Sequence, residues 1–115
     1  MECFMFLLSE NARMIFYPKP TNLNKGFNSL TAIVQTELRD FEFDSKTYFL
    51  FCNTKRDRIK VLYLDGSNLA IWSKRLDATL MFKYGEKAII FDQNSFDDFL
   101  RKMCFRKHRG LRKLI

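Results

Sequence analysis

The dipeptide Asp65-Gly66 stands between two short runs, 58–64 and 69–74, rich in β-branched, aromatic and long apolar residues. A tight turn between strands needs positive φ, which Asp and Gly tolerate, so this pattern predicts a β-hairpin. With a loop of two or four residues, paired positions sum to an odd number, and directly opposed residues share a face. Ile59, Val61, Tyr63, Ala70, Trp72 and Lys74 then fall on one side, and Arg58, Lys60, Leu62, Leu64, Leu69, Ile71, Ser73 and Arg75 on the other. Three cations, Arg58, Lys60 and Arg75, converge at the end away from the turn. Lys55 and Arg56 in the entering connection, with Lys74 at the same end, extend the patch. Two readings fit it: a solvated strand surface whose charges guard an edge, or a phosphate-binding face.

The remaining elements follow from spacing. Residues 12–17 read as a strand stopped by Pro18 and Pro20. Thr21 or Asn22 then caps a helix whose Leu23, Phe27, Leu30, Val34 and Leu38 recur at helical intervals. The run 48–52 is a further strand, and 79–83 and 87–91 add two more around Gly85. A second helix starts at Asp92 or Ser95, with Asp97 and Asp98 early and Phe96, Phe99, Leu100 and Met103 on one face. The expected class is α+β: a mainly antiparallel sheet, a helix near the N-terminal third and a C-terminal helix. Residues 1–105 read as a single domain and 106–115 as a basic tail.

Composition narrows the function. Thirteen phenylalanines among 115 residues, with only four glycines and two prolines, exclude a disordered chain. The net charge of +7 favours a polyanionic partner, and it is uneven: residues 1–45 carry −2, 46–87 carry +5 and 88–115 carry +4. The tail cations, including Arg106, Lys107 and Arg109, suit dispersed contact with phosphates or plain solubilisation. The apolar run 4–8 is far below the roughly 20 residues of a membrane span, and no Lys or Arg precedes it, so a cytoplasmic protein without membrane contact is expected.

Cys3, Cys52 and Cys104 lack metal-ligand spacing and read as reduced thiols, and His108 has no second histidine to share a metal. No cofactor or metal is expected. A nuclease needs clustered carboxylates, whereas Asp57, Asp65 and Asp77 are scattered, each with a local role to fill. Enzymatic chemistry is therefore not expected.

Three segments carry a resemblance: Pro20-Thr21-Asn22-Leu23-Asn24-Lys25-Gly26-Phe27, then residues 57–67 beginning Asp57-Arg58-Ile59-Lys60, then Ile71-Trp72-Ser73-Lys74-Arg75-Leu76. In order and spacing the chain resembles, over 12–103, the small TnpB accessory-protein family of insertion-sequence-sixty-six transposable elements. That family is distinct from the RNA-guided nucleases sharing the name. Its first motif usually reads Thr-Asp-x-Arg-Lys-Gly, whereas this chain has Asn22 and Asn24 at the Asp and Arg positions. Arg56 stands where members often carry glycine. The resemblance implies a non-catalytic accessory role in transposition of a bacterial insertion sequence, beside a separate transposase. The expected partners are DNA, as element ends or non-specific duplex, the transposase, and a second accessory protein of the same element. Arg58, Lys60 and Arg75 are the main candidate phosphate contacts, with Lys55, Arg56, Lys74 and the tail as helpers. The alternative is a protein adaptor docking through aromatics such as Trp72 or Phe82 without touching DNA.

Overall fold

The computed structural model describes residues 12–24, 26–76, 79, 84–85 and 87–92. Their elements run β1 (Arg13–Phe16), α1 (Phe27–Thr36), β2 (Thr47–Cys52), β3 (Arg58–Asp65), β4 (Asn68–Arg75) and β5 (Ile89–Asp92). The strands form one sheet in the order β4-β3-β2-β1-β5. β1 and β2 are parallel, Arg13 opposite Thr47. The other three pairings are antiparallel.

This corrects the expected class. One parallel pair among four makes the five-stranded sheet mixed, and the described residues hold one helix in place of the two expected. The reason is the β1–α1–β2 segment itself. A strand followed by a helix and then a strand is long enough for the crossover that a parallel pair requires, and one such unit is sufficient. The expected C-terminal helix and the tail 106–115 lie outside the described residues. So does most of the expected strand 79–83, of which Thr79 alone is described and is not in a strand.

Both sheet faces are covered. On one, Ile15, Phe49, Phe51 and Leu62 pack against Leu30 and Val34 of α1, with Leu23 and Leu38 flanking the helix. On the other, Met14, Phe16, Tyr48, Leu50, Ile59 and Val61 cluster with the partly buried Tyr63, Trp72 and Tyr84. All six residues of β2 are buried, as a central strand with apolar layers on both sides requires. Of the expected helical stripe, Leu30 and Val34 are buried within α1, Leu23 and Leu38 are buried just outside its ends, and Phe27 is 44% exposed. Gly26, not Thr21 or Asn22, occupies the N-cap. Asn22 is engaged locally instead, its Oδ1 accepting the Asn24 N–H at 3.0 Å.

The β3–β4 hairpin pairs Asp65 with Asn68, so its loop is Gly66-Ser67. Gly66 supplies the positive φ, at 67°, that the first loop position of a type II′ turn needs. Among the described residues no helix is long and apolar enough to cross a membrane.

A candidate nucleic-acid interface at the hairpin root

Between the end of β2 and the start of β3 the chain must reverse within five residues, and Asn53 organises that reversal. Its Oδ1 accepts the N–H groups of Asp57 at 3.0 Å and Arg58 at 3.1 Å, while its Nδ2 donates to Asp57 Oδ1 at 2.7 Å. The Asn53 N–H donates to the Arg58 carbonyl at 3.2 Å, and the Asn53 carbonyl accepts from Arg56 N–H at 3.0 Å. The Tyr84 hydroxyl donates to the same carbonyl. The Leu76 N–H donates to the Asp57 carbonyl at 2.6 Å, tying the exit of β4 to the loop. Arg56 takes a left-handed conformation, φ 60°, with its guanidinium carbon 5.5 Å from the Tyr84 ring centroid.

A second segment lies alongside. The Thr21 N–H donates to the Cys52 carbonyl at 2.9 Å, and the Thr21 hydroxyl donates to the Lys19 carbonyl at 3.1 Å. These bonds hold the approach to α1 against the end of β2. Between the two segments is an open cleft of about 500 Å³. Thr21, Asn22, Leu23 and Asn24 line it on one side, Asn53, Thr54, Lys55 and Asp57 on the other, and Arg58 and Arg75 at the hairpin root.

The two arginines decide the electrostatics. They are paired directly across the β3–β4 ladder. Opposed side chains in such a pair start from Cβ atoms roughly 4.5–5.5 Å apart, and like charges there are destabilising. Among the described residues neither arginine makes an ion pair. The nearby Asp57 carboxyl is held below the usual carboxylate range, chiefly by the Asn53 amide, then by a backbone N–H, and only after these by the fields of Arg75 and Lys55. The cleft therefore keeps its positive excess and presents one carboxylate in its wall.

The predicted site residues separate accordingly. Arg58, Arg75 and Lys55 come together in the cleft. Lys60 shares the face of Arg58 but is half-buried beyond the cleft wall, opposite Phe51 and Ser73. Lys74 pairs with Ile59 and belongs to the opposite face. Arg56 backs the loop against Tyr84. Arg106, Lys107 and Arg109 lie outside the described residues. Of the candidate docking aromatics, Trp72 is half-buried against the cluster of Ile59 and Val61, and Phe82 lies outside the described residues. Asp65 closes the turn at the other end of β3 from Asp57. Among the described residues no three His, Cys, Asp or Glu side chains group as metal ligands. The Cys52 thiol is free and buried, and desolvation pushes it up to about 11.

Sequence reasoning missed Asn53 and Tyr84, and it read Asn22 and Asn24 as a cap candidate and as motif departures without placing them in a site. The available signal for Asn53 was an asparagine directly after an apolar strand run, where its side chain substitutes for missing backbone partners.

Residues 12–107 match the family model TnpB_IS66, described as IS66 Orf2-like protein. The chain belongs to this family. Membership implies a transposition-related accessory role. No curated protein and no solved structure matches the chain. In this Orf2-like chain, the three stretches that carried the sequence resemblance meet in space, the third through Arg75. The first supplies Thr21 to Asn24 as one wall of the cleft, and the second supplies Asp57 and Arg58 of the other. Asn22 and Asn24 thus put neutral amides on the cleft where the motif elsewhere has an acid and an arginine.

Proposed function

We propose that this Orf2-like chain is a non-catalytic transposition factor that works in the cytoplasm beside the transposase and grips DNA by its phosphates at the hairpin root. The observation that carries this reading is the Arg58–Arg75 pair, two arginines opposed at one ladder position and both lining the cleft, without an ion-pair partner among the described residues. Such an arrangement costs stability in the free protein, and an anion seated between the two groups removes that cost. Guanidiniums present paired N–H donors that match phosphate oxygens, so each is suited to a forked contact. Lys55 adds a third charge at the cleft, Lys60 stands on the same strand face as Arg58, and the tail cations Arg106, Lys107 and Arg109 add to the net positive charge of the chain. The scattered carboxylates support a role without catalysis.

Titration with element-end and unrelated DNA at two salt concentrations tests this reading. Arg58→Gln with Arg75→Gln should weaken binding and lower the slope of log affinity against log salt by roughly 0.9 for each phosphate no longer neutralised. Unchanged affinity would overturn the assignment. If that variant still binds DNA but no longer retains the transposase in a pull-down, the chain is a protein adaptor instead.

A further inference from the structure

We infer that the cleft receives an unpaired DNA strand, such as a strand end or a frayed terminus, and not the side of an intact duplex. This rests on the DNA-binding reading and narrows its substrate. The shape of the cleft suits a strand better than a duplex. A recess of about 500 Å³ is concave and of small-ligand size, whereas a duplex offers its phosphates on a convex surface. A single strand can lead one nucleotide into such a recess.

The chemistry of the lining points the same way. A site built only for the phosphate backbone gains nothing from a carboxylate, which repels phosphate oxygens at short range. Asp57 nevertheless stands in the wall beside Arg58 and Lys55. Among the described residues one of its oxygens, Oδ1, is taken by a side-chain donor, the Asn53 amide. A carboxylate accepts hydrogen bonds from the amino groups of bases, and asparagine amides offer both donor and acceptor to a base edge, the Watson–Crick edge included once the base is unstacked. Asn22 uses its Oδ1 on the Asn24 N–H, so its amide N–H groups are the part suited to a ligand. Asn53 spends both ends of its amide on the loop and acts as scaffold.

Cations for phosphate, with a carboxylate and amides for a base edge, are the complement of a whole nucleotide. The Watson–Crick edge of that nucleotide is free only where the strand is unpaired. No aromatic ring lines the cleft among the described residues, which leaves the guanidinium planes of Arg58 and Arg75 as the stacking surface for a base.

The test compares three fluorescein-labelled DNAs of one sequence by anisotropy: a single strand, a duplex with an unpaired overhang, and a covalently closed dumbbell without ends. The single strand and the overhang should bind on the order of tenfold more tightly than the dumbbell, the scale of one good base contact. Asp57→Asn should shrink that preference, by relieving repulsion toward the dumbbell and weakening the base contact in the strand. Circular-dichroism melting checks that the variant is folded. Arg58→Gln with Arg75→Gln should weaken all three. Equal affinity for strand and dumbbell, with both weakened in the arginine variant, would overturn the unpaired-strand inference and leave the phosphate reading intact. Binding of all three unchanged in the arginine variant would overturn both.

Discussion

Two clefts lie at the two ends of α1, and they treat their cations in opposite ways. At the C-terminal end, Tyr17, Lys19, Glu37, Asp40 and Lys87 are among the residues lining a recess of about 280 Å³. There Lys19 Nζ meets Glu37 Oε1 at 2.9 Å, and the Tyr17 hydroxyl hydrogen-bonds the same carboxylate. Charge is spent internally. At the approach to α1, Arg58 and Arg75 face one another without an ion pair among the described residues, and Asp57 is held by an amide. Local cation content is therefore a poor guide to a binding site. What matters is whether the fold has already supplied the counter-charge.

The largest effect should come from the scaffold of the cationic cleft. Asn53→Ala removes three side-chain hydrogen bonds in a partly buried loop, and at about 1 kcal/mol each the loss should be about 2–3 kcal/mol of stability. Denaturant unfolding measures it. A loss below about 0.5 kcal/mol would mean that the connection is held by its backbone bonds and by Tyr84 alone.

Next in size is the charge contrast itself. Arg58→Gln with Arg75→Gln should reduce DNA affinity at least about tenfold, while stability holds or rises by about 0.2–1 kcal/mol as a like-charge pair disappears. Lys19→Gln, in the neutralised cleft, should leave affinity unchanged. Comparable losses from both variants would show that net charge, not placement, governs binding, and the contrast between the clefts would break.

Much of this was legible in sequence, for physical reasons. Alternation along a strand has period two, so parity alone put Arg58 and Arg75 on one face, and the observed register pairs them directly. The β1–β2 pairing was not legible, because a parallel neighbour is chosen by contacts that Ile15, Phe49 and Leu30 make only after folding. The same holds for the cleft. Residues 21–24 and 53–58 meet because Thr21 bonds to the end of β2, a contact with no local signature. The helix start was misread because Asn22 looks like a cap while its side chain closes a turn of its own.

A smaller effect concerns Arg56, which holds φ at 60° where the family often carries glycine. A left-handed residue with a Cβ costs roughly 1–2 kcal/mol, offset here by about 0.5–1 kcal/mol from the contact with Tyr84. Arg56→Gly removes both terms and should stay within about 0.5 kcal/mol of the parent. Arg56→Ala keeps the strain and gives up the contact, so it should be about 1 kcal/mol less stable than the glycine variant. At Lys55, where φ is not positive, alanine should match or exceed glycine. The usual order at both positions would mean that the loop relaxes out of the left-handed region.

The smallest effect tests the neutralised cleft. Glu37 is held below the usual carboxylate range, first by its hydrogen bond from Lys19 and then by that from Tyr17. Its folded pKa is therefore lower than its unfolded one. The stability it contributes is fully present above the unfolded value, about 4.3, and is lost as pH falls through the folded value. Both partners are about half exposed, with 51% and 43% of their side-chain surfaces accessible, so solvent screening limits the contribution to about 0.5 kcal/mol. Tyr17 runs the other way. Burial, with the Glu37 hydrogen bond and charge, pushes it up to about 12, so its share is present below about 10 and fades as pH rises through about 12. Glu37→Gln should cost about 0.5 kcal/mol at neutral pH and nothing in acid, because a protonated carboxyl and the glutamine amide that replaces it are both neutral there. Unfolding curves for parent and variant should thus converge below about pH 3. Curves that stay apart in acid would assign Glu37 a packing role, and the two clefts would then differ in architecture and not only in the balance of their charges.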